Sequence, residues 1–327
     1  MIRLSVVIPF WNAEQWLRTS IESVLGQDHP AEIIAVDDGS TDGSLAIARS
    51  YGSRVTVIRQ GNAGASGARN AGLAVVTGDY VVFLDSDDYL DGPLLRGVAA
   101  AAERESPDLI LSPGGSERPA GRYVHRHSAE WHRKDRIAIA TEIANGKTTP
   151  VNAQAWRRDH LLGLGGYRAD VTLREDTELL LRAVIGGATL GFNSAGIAIW
   201  VVRPNHPSKS KRRDEASLRS THRWHRDHIA SLPVRQHPAL LDAYARRSYG
   251  LAGTAFDQGY RALGREALAL ARECGLEGHP GGRAHAVAAT ILGLERKAVL
   301  ARGWRALRGA VGLARRPAPR SRPAVDG

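Results

Sequence analysis

Two runs of apolar residues each end directly in carboxylates. IIAV at 33–36 runs into Asp37 and Asp38, and VVFL at 81–84 runs into Asp85, Asp87 and Asp88. Such runs make strands covered on both faces, so the acids fall where each strand leaves its sheet. LSVVI at 4–8 and RVTVIRQ at 54–60 read as strands of the same kind. Helical stretches lie between them. AEQWLRTSIESVLGQ turns Trp16, Ile21, Val24 and Leu25 inward, GSLAIARSYG follows Ser40 or Thr41 as a cap, and GASGARNAGLAVVTG opens on glycine. Strand and helix alternate roughly every 20 to 30 residues, the pattern of a doubly wound, mainly parallel α/β sheet flanked by helices. Ligands bind such sheets beyond the carboxyl ends of the strands. Two separate strands therefore deliver acids to one rim.

Beyond residue 113 the pattern loosens. GGSERPAGRYVHRHSAEWHRKD reads as a strand pair or loops, VNAQAWRRDHLLGLGGY as a strand, a short helix and a glycine turn. EDTELLLRAVIGGA is a helix with Leu179, Leu180, Ala183 and Val184 inside, and IAIWVVRPN is a strand. From 214 the chain is helical and rich in arginine. The expected division is a catalytic domain over 1–213, a helical C-terminal region over 214–316 and a disordered tail over 317–327.

Charge separates along the chain. Residues 1–110 hold 8 basic and 15 acidic residues, while the remainder holds 36 and 19, within a net charge of +10. The basic part fits an anionic partner, or simple solubility in an arginine-rich chain, since only five of the basic residues are Lys. One cysteine, Cys274, permits no internal disulfide, and no apolar run reaches a membrane span. The N-terminal apolar run is too short for a signal peptide. A cytoplasmic setting is expected.

Crowded carboxylates raise one another's pKa unless a cation sits among them. Oxygen ligands on a turn suit Mg²⁺ or Mn²⁺, which keep several waters and share substrate phosphates. No cysteine cluster offers a zinc site. Asp85 and Asp87 read as metal ligands, whereas Asp88 and Asp91 read as caps for the helix around GPLLRGVAA.

SVVIPFWN, AVDDGSTDGS, QGNAGASGARNAG, FLDSDD and REDTELLLRA occur in that order. Together they resemble the family-2 glycosyltransferases over about residues 1–210. The resemblance implies the Rossmann-like GT-A fold, a nucleoside-diphosphate sugar, most often UDP-linked, and Mn²⁺ or Mg²⁺. It implies that Asp37, with Asp38 beside it, holds the nucleotide base, since a carboxylate can accept the imide N–H of uracil. Backbone near Pro9, Phe10 and Asn12 would line the base pocket. Asn62 and Gly64 would lie along the sugar nucleotide, where small residues permit close approach. Arg69 would contact the nucleotide. Asp85-Ser86-Asp87 would match the family's Asp-x-Asp motif, its first acid at the ribose or a metal-bound water and its second on the metal. Asp176, preceded by Glu175, would be the general base of an inverting displacement. Arg203 and His206 partly match a family motif in which the His reaches the metal or the diphosphate. The match is imperfect, because Ser208 falls one position early and Ser210 one late.

Lys209, Lys211, Arg212 and Arg213 could form a lid or a solvated linker. Trp156, Arg157, Tyr167 and the loop from Glu130 to Arg136 lie where the family binds its acceptor, a glycan or a lipid-linked hydroxyl. In LERKAVLARGWRALRGAVGLARR, Leu300, Trp304, Leu307 and Val311 recur at helical spacing, with Arg302, Arg305 and Arg316 opposite. Two readings stand: peripheral contact with an anionic membrane, or packing on the chain's own domain or another subunit. A sugar nucleotidyltransferase is disfavoured, because no glycine-rich loop follows SVVIPFW. A nucleic-acid-binding protein is disfavoured too, because the basic residues scatter over helices without interleaved aromatics.

Overall fold

The computed structural model describes residues 1–125, 127–147, 149–203, 213–276 and 293–296. In chain order, the first part of the chain runs β1 (Leu4–Phe10), α1 (Leu17–Leu25), β2 (Ala31–Asp37), α2 (Ser44–Arg49), β3 (Thr56–Arg59), α3 (Gly64–Leu73), β4 (Tyr80–Phe83), β5 (Tyr89–Asp91) and α4 (Leu94–Glu105). It continues through β6 (Leu109–Leu111), β7 (Gly114–Arg118), β8 (Gly121–His125), α5 (Arg136–Ala144), β9 (Gln154–Arg157), α6 (Arg158–Gly163), α7 (Glu175–Ile185), β10 (Leu190–Phe192) and β11 (Ile197–Val201). Helices α8 (Glu215–Ala230), α9 (Leu232–Gln236), α10 (Pro238–Gln258) and α11 (Arg261–Glu273) follow.

Seven strands form the main sheet in the order β10-β6-β9-β4-β1-β2-β3. All are parallel except β9, which runs antiparallel to both its neighbours. All seven residues of β1 are buried, as a central strand covered by helices on both faces requires. The close fit of α3 onto this sheet explains Gly72: a Cβ there would lie 2.3 Å from Val7 Cγ1. A second sheet, β5-β11-β7-β8, stands beside the acidic end of β4. Its β7–β8 hairpin is the strand pair expected there.

Several expectations need correction. In α1 Leu17, Ile21 and Val24 are fully buried, and Trp16 just before it and Leu25 at its end pack half-buried against the same core, where Leu17 joins the inward face. Neither Ser40 nor Thr41 caps α2. Ser40 Oγ instead accepts the Asn12 N–H at 3.1 Å, and Asp42 takes the Ser44 N–H. Neither Asp88 nor Asp91 caps α4; the side chain that serves its first turn is Gln27, whose Oε1 accepts the Leu95 N–H at 3.1 Å. Helix α5, capped by Asp135, lies in a stretch read as strand pair or loops.

The helices after 214 share the main core. Trp224, Ile229, Val234, Leu240, Ala243 and Tyr244 belong to one apolar cluster with residues of β4, α5 and α7. Among the described residues, no helix is long and apolar enough to cross a membrane. The amphipathic stretch containing Leu300 to Arg316, and the tail, lie outside the described residues.

Candidate active site

The carboxyl ends of β1, β2 and β4 sit side by side because Phe10 pairs with Asp37 and Val7 with Phe83. Asp37 is wholly buried. Its Oδ1 accepts the Ser40 N–H at 2.8 Å, and its Oδ2 lies 3.2 Å from Arg59 Nε. Asp38 has a different part from the expected one. Its two oxygens accept from Gln60 Nε2, the Ala63 N–H and the Gly64 N–H at 2.8–2.9 Å. A carboxylate at the start of α3 satisfies N–H groups that the helix leaves unpaired, so Asp38 anchors α3. Pro9 and Phe10 are buried at the end of β1, and the Phe10 carbonyl accepts the Asp38 N–H. Asn12 adopts a left-handed backbone (φ 49°), and its Oδ1 accepts the Thr41 N–H. Asn62 is exposed, and Gly64 opens α3 at φ +77°, a conformation that favours glycine.

Arg69, on α3, is the hub. Its side chain is 4% exposed; Nη2 donates to Asp85 Oδ1 at 2.6 Å and Nη1 to Glu175 Oε1 at 3.1 Å. The guanidinium lies 5.1 Å from the centre of the Tyr167 ring. Burial opposes its charge, but Asp85, Tyr167 and Glu175 outweigh that and hold its pKa well above the ordinary value. A strand end and a helix start are thereby locked together.

Asp85 to Asp88 form a turn in which the Asp88 N–H donates to the Asp85 carbonyl at 3.0 Å. Arg203 reaches Asp87 with Nη1 on Oδ2 at 3.1 Å and Nη2 on the carbonyl at 2.7 Å. The same guanidinium stacks 4.7 Å above Trp16. Asp88 is buried, and its Oδ1 accepts the Val201 N–H of β11. Burial first, then the charges of Asp87 and Asp85, hold its carboxyl well above the usual range. A cavity of about 150 Å³ opens here, lined by Trp16, Asp87, Asp88, Tyr89, Glu117 and Arg203 among others.

The chemistry of this donor set fits a hard divalent cation. Asp85 and Asp87 are partly exposed oxygen donors on one turn, each already facing a positive charge. Among the described residues, no cluster of three or more His, Cys, Asp or Glu side chains is disposed to hold a metal. Mg²⁺ and Mn²⁺ need no such cluster when phosphate and water complete the shell. His206 and the lysines after it lie outside the described residues.

Glu175 and Asp176 open α7. Arg174 before them holds a left-handed backbone (φ 59°), which turns the chain into the helix. Asp176 Oδ1 accepts the adjacent Thr177 N–H at 2.7 Å. Burial, then the charge of Glu175, push Asp176 up to about 6. Asp176 thus titrates near neutrality while Glu175 is bound to Arg69.

The acceptor candidates divide. Trp156 is wholly buried in the core, and Arg157 pairs with Asp108 at the edge remote from the acids. Both are structural here, because antiparallel β9 carries its carboxyl end away from the rim. Tyr167 is buried against Arg69 and Phe83. In the 130–136 loop, Trp131 is buried and donates to Glu142. Trp11, directly after β1, is 55% exposed. The Arg203–Trp16 stacking joins remote segments and left no local trace.

This architecture is the GT-A fold. Staphylococcus aureus TarS 1–349 in complex with UDP-GlcNAc has a TM-score of 0.68 at 17% identity, covering 93% of this chain and 92% of that one. A mannosyltransferase from Pyrobaculum calidifontis in complex with GDP-Man and Mn²⁺ has a TM-score of 0.57 at 18% identity, covering 95% and 86%. Residues 5–163 match the family described as Glycosyl transferase family 2. The glycosyltransferase YibD of Escherichia coli is 32% identical over 54% of this chain and 52% of its own length. The chain spans about half of that relative. It spans only 21% of the 32%-identical TarS, a poly(ribitol-phosphate) β-N-acetylglucosaminyltransferase, which matches 34% of this chain.

Proposed function

We propose that the protein transfers a sugar from a nucleoside-diphosphate donor, UDP-linked, to a hydroxyl of a glycan or lipid-linked acceptor, with inversion at the anomeric carbon. The observation that carries this reading is Arg69, which holds the Asp85 strand end against the Glu175–Asp176 helix start. In this reading the donor lies along the ends of β1, β2 and β4. Asp37 accepts the imide N–H of uracil, and Phe10, Asn12 and Gly64 offer backbone to the base and ribose. Asp85 and Asp87 would hold Mn²⁺ or Mg²⁺, which when bound supplies Lewis-acid stabilisation of the departing diphosphate. Arg203 leaves Asp87 and turns to the diphosphate.

Asp176 takes the proton from the acceptor hydroxyl. The new carbon–oxygen bond forms at the anomeric carbon as the bond to the diphosphate oxygen breaks on the opposite face. A carboxylate with its pKa raised toward the working pH suits this part. Residues 1–213 are the catalytic unit in this reading, and the helices beyond 214 support the acceptor side. The expected setting is the cytoplasm, at the face where lipid-linked acceptors are elongated.

The test is a panel of nucleotide sugars with and without Mn²⁺, read by calorimetry and by donor hydrolysis. Uptake of UDP with manganese, lost in Asp87→Ala, is the expected result. A protein indifferent to every nucleotide in the panel sinks the proposal.

A further inference from the structure

Three helices meet beside Asp176. Glu178 of α7 accepts from Arg182 Nε at 2.9 Å and faces His228 Nε2 of α8 at 3.3 Å, while His228 Nδ1 meets the Tyr244 hydroxyl of α10 at 2.7 Å. About one helical turn along each helix from this junction come Arg174, His225 and Arg247. The Arg247 guanidinium lies 5.7 Å from the centre of the Trp224 ring, and its buried Nη1 has no hydrogen-bond partner. The buried His225 Nδ1 has none either. Among the described residues, neither Arg174 nor Arg247 has an ion pair. Burial, then the charge of Arg174, bring Arg247 down to about 10, with Tyr244 and Asp176 pulling the other way. The two guanidinium groups therefore lie in one another's field, beside Asp176.

Other arginines of these helices and the adjoining loop face carboxylates, apart from Arg226 of α8, which is exposed. Arg182 pairs with Glu178, Arg168 with Asp170 and Asp227, Arg223 with Asp170, and Arg246 with Asp242. Arg247, taken from water without a counter-ion, bears a cost, and the charge of Arg174, itself exposed, adds to it. An anion between them removes it, because each guanidinium can give two parallel N–H bonds to oxyanion oxygens. Two guanidinium groups and an imidazole offer more donors than the two oxygens of a carboxylate can use. The three terminal oxygens of a phosphate monoester match them.

We propose that the acceptor carries a phosphate ester, and that Arg174 and Arg247 bind this group so that the acceptor hydroxyl meets Asp176. This deepens the transferase reading and rests on Asp176 as the acceptor-side base. The helical region after 214 thereby supplies acceptor specificity as well as core.

The test uses the full chain without divalent cation or nucleotide, titrated with glycerol 3-phosphate by calorimetry. Saturable binding is expected, weakened about tenfold or more in Arg247→Gln and partly restored in Arg247→Lys. Arg246→Gln is expected to bind like the parent, since that guanidinium is exposed and paired with Asp242. The inference is overturned if the parent chain does not bind, or if the two Gln variants bind equally. Should Arg247→Gln fail to fold by circular dichroism, Arg174→Asn takes its place, because Asn tolerates the left-handed backbone there. Unweakened binding in that variant overturns the inference too.

Vesicles of phosphatidic acid in phosphatidylcholine locate the ester. Binding lost in the same variant assigns it to a lipid-borne acceptor; absence of vesicle binding beside glycerol 3-phosphate uptake assigns it to a soluble one. UDP with manganese is titrated separately. A chain that takes up UDP but not glycerol 3-phosphate sinks this inference alone; the reverse result leaves a phosphate-ester site at Arg174 and Arg247 but sinks the transferase reading and, with it, the assignment of that ester to an acceptor.

Discussion

Arg69 donates to Glu175 at 3.1 Å across 106 positions of sequence while it holds Asp85 at 2.6 Å. A buried arginine thus fixes the separation between the Asp85–Asp87 turn and the helix that presents Asp176. Arg69→Met removes the only hydrogen-bonded cation of Glu175 among the described residues. It is expected to cost roughly 2 kcal/mol in chemical denaturation, less than a fully buried pair because Asp85 is partly exposed. UDP affinity and transfer should fall together. A variant with parental stability and turnover would show the hub to be dispensable.

Asp176 carries the pH dependence. With its carboxyl at about 6, transfer should fall tenfold per pH unit below that point if the ionised form is the base. The same shift has a stability consequence. The folded-state pKa lies above the ordinary 3.8, so the penalty of ionising Asp176 is absent below about pH 4 and complete above about pH 6. Asp176→Asn should therefore lose transfer yet melt higher than the parent at pH 7.5, the difference closing near pH 4. A variant that melts lower at pH 7.5 would contradict the assigned burial.

The adjacent acids of the second strand should separate cleanly. Asp38→Ala removes three hydrogen bonds at the start of α3 and is expected to lower stability by about 2 kcal/mol. Asp37→Asn keeps an acceptor for the Ser40 N–H, so it should melt near the parent while binding UDP about tenfold more weakly. Thermal melts and UDP titration of the two variants check this. An exchange of the two phenotypes would reverse the assignment.

Glu178 is wholly buried between Arg182 and His228. Glu178→Ala strands the Arg182 charge and is expected to cost about 3 kcal/mol or more. Loss should begin in α8 and α10, visible as faster amide exchange there than in β1. Uniform exchange across the chain would place the coupling elsewhere.

The sheet and its acidic rim were legible because their signals are local. IIAV and VVFL announce buried strands, and the acids that follow can only fall at the strand ends. The glycines of α3 and the Glu-Asp pair opening α7 were legible for the same reason. What escaped depends on contacts between distant segments. VNAQAW carries a strand signal but none for direction, so Trp156 and Arg157 were read toward the acceptor when they point to core and far edge. Asp38 looks identical to Asp37 in sequence, and only the return of Gln60 and Ala63 reveals its anchoring part. The lone guanidinium of Arg247 has no sequence signature, since its neighbour Arg246 differs only in facing Asp242.

The reversed strand β9 has an engineering consequence. It delivers the chain to the far edge at Arg157, and residues 158–174 must climb back before Glu175 can meet Arg69. That return path forms no strand of the main sheet, so its length can change without altering registry among β1, β2 and β4. Grafting a longer or shorter return segment would re-aim the helix that follows, and a graft that keeps Tyr167 against Arg69 and Phe83 would leave the hub at the strand ends in place.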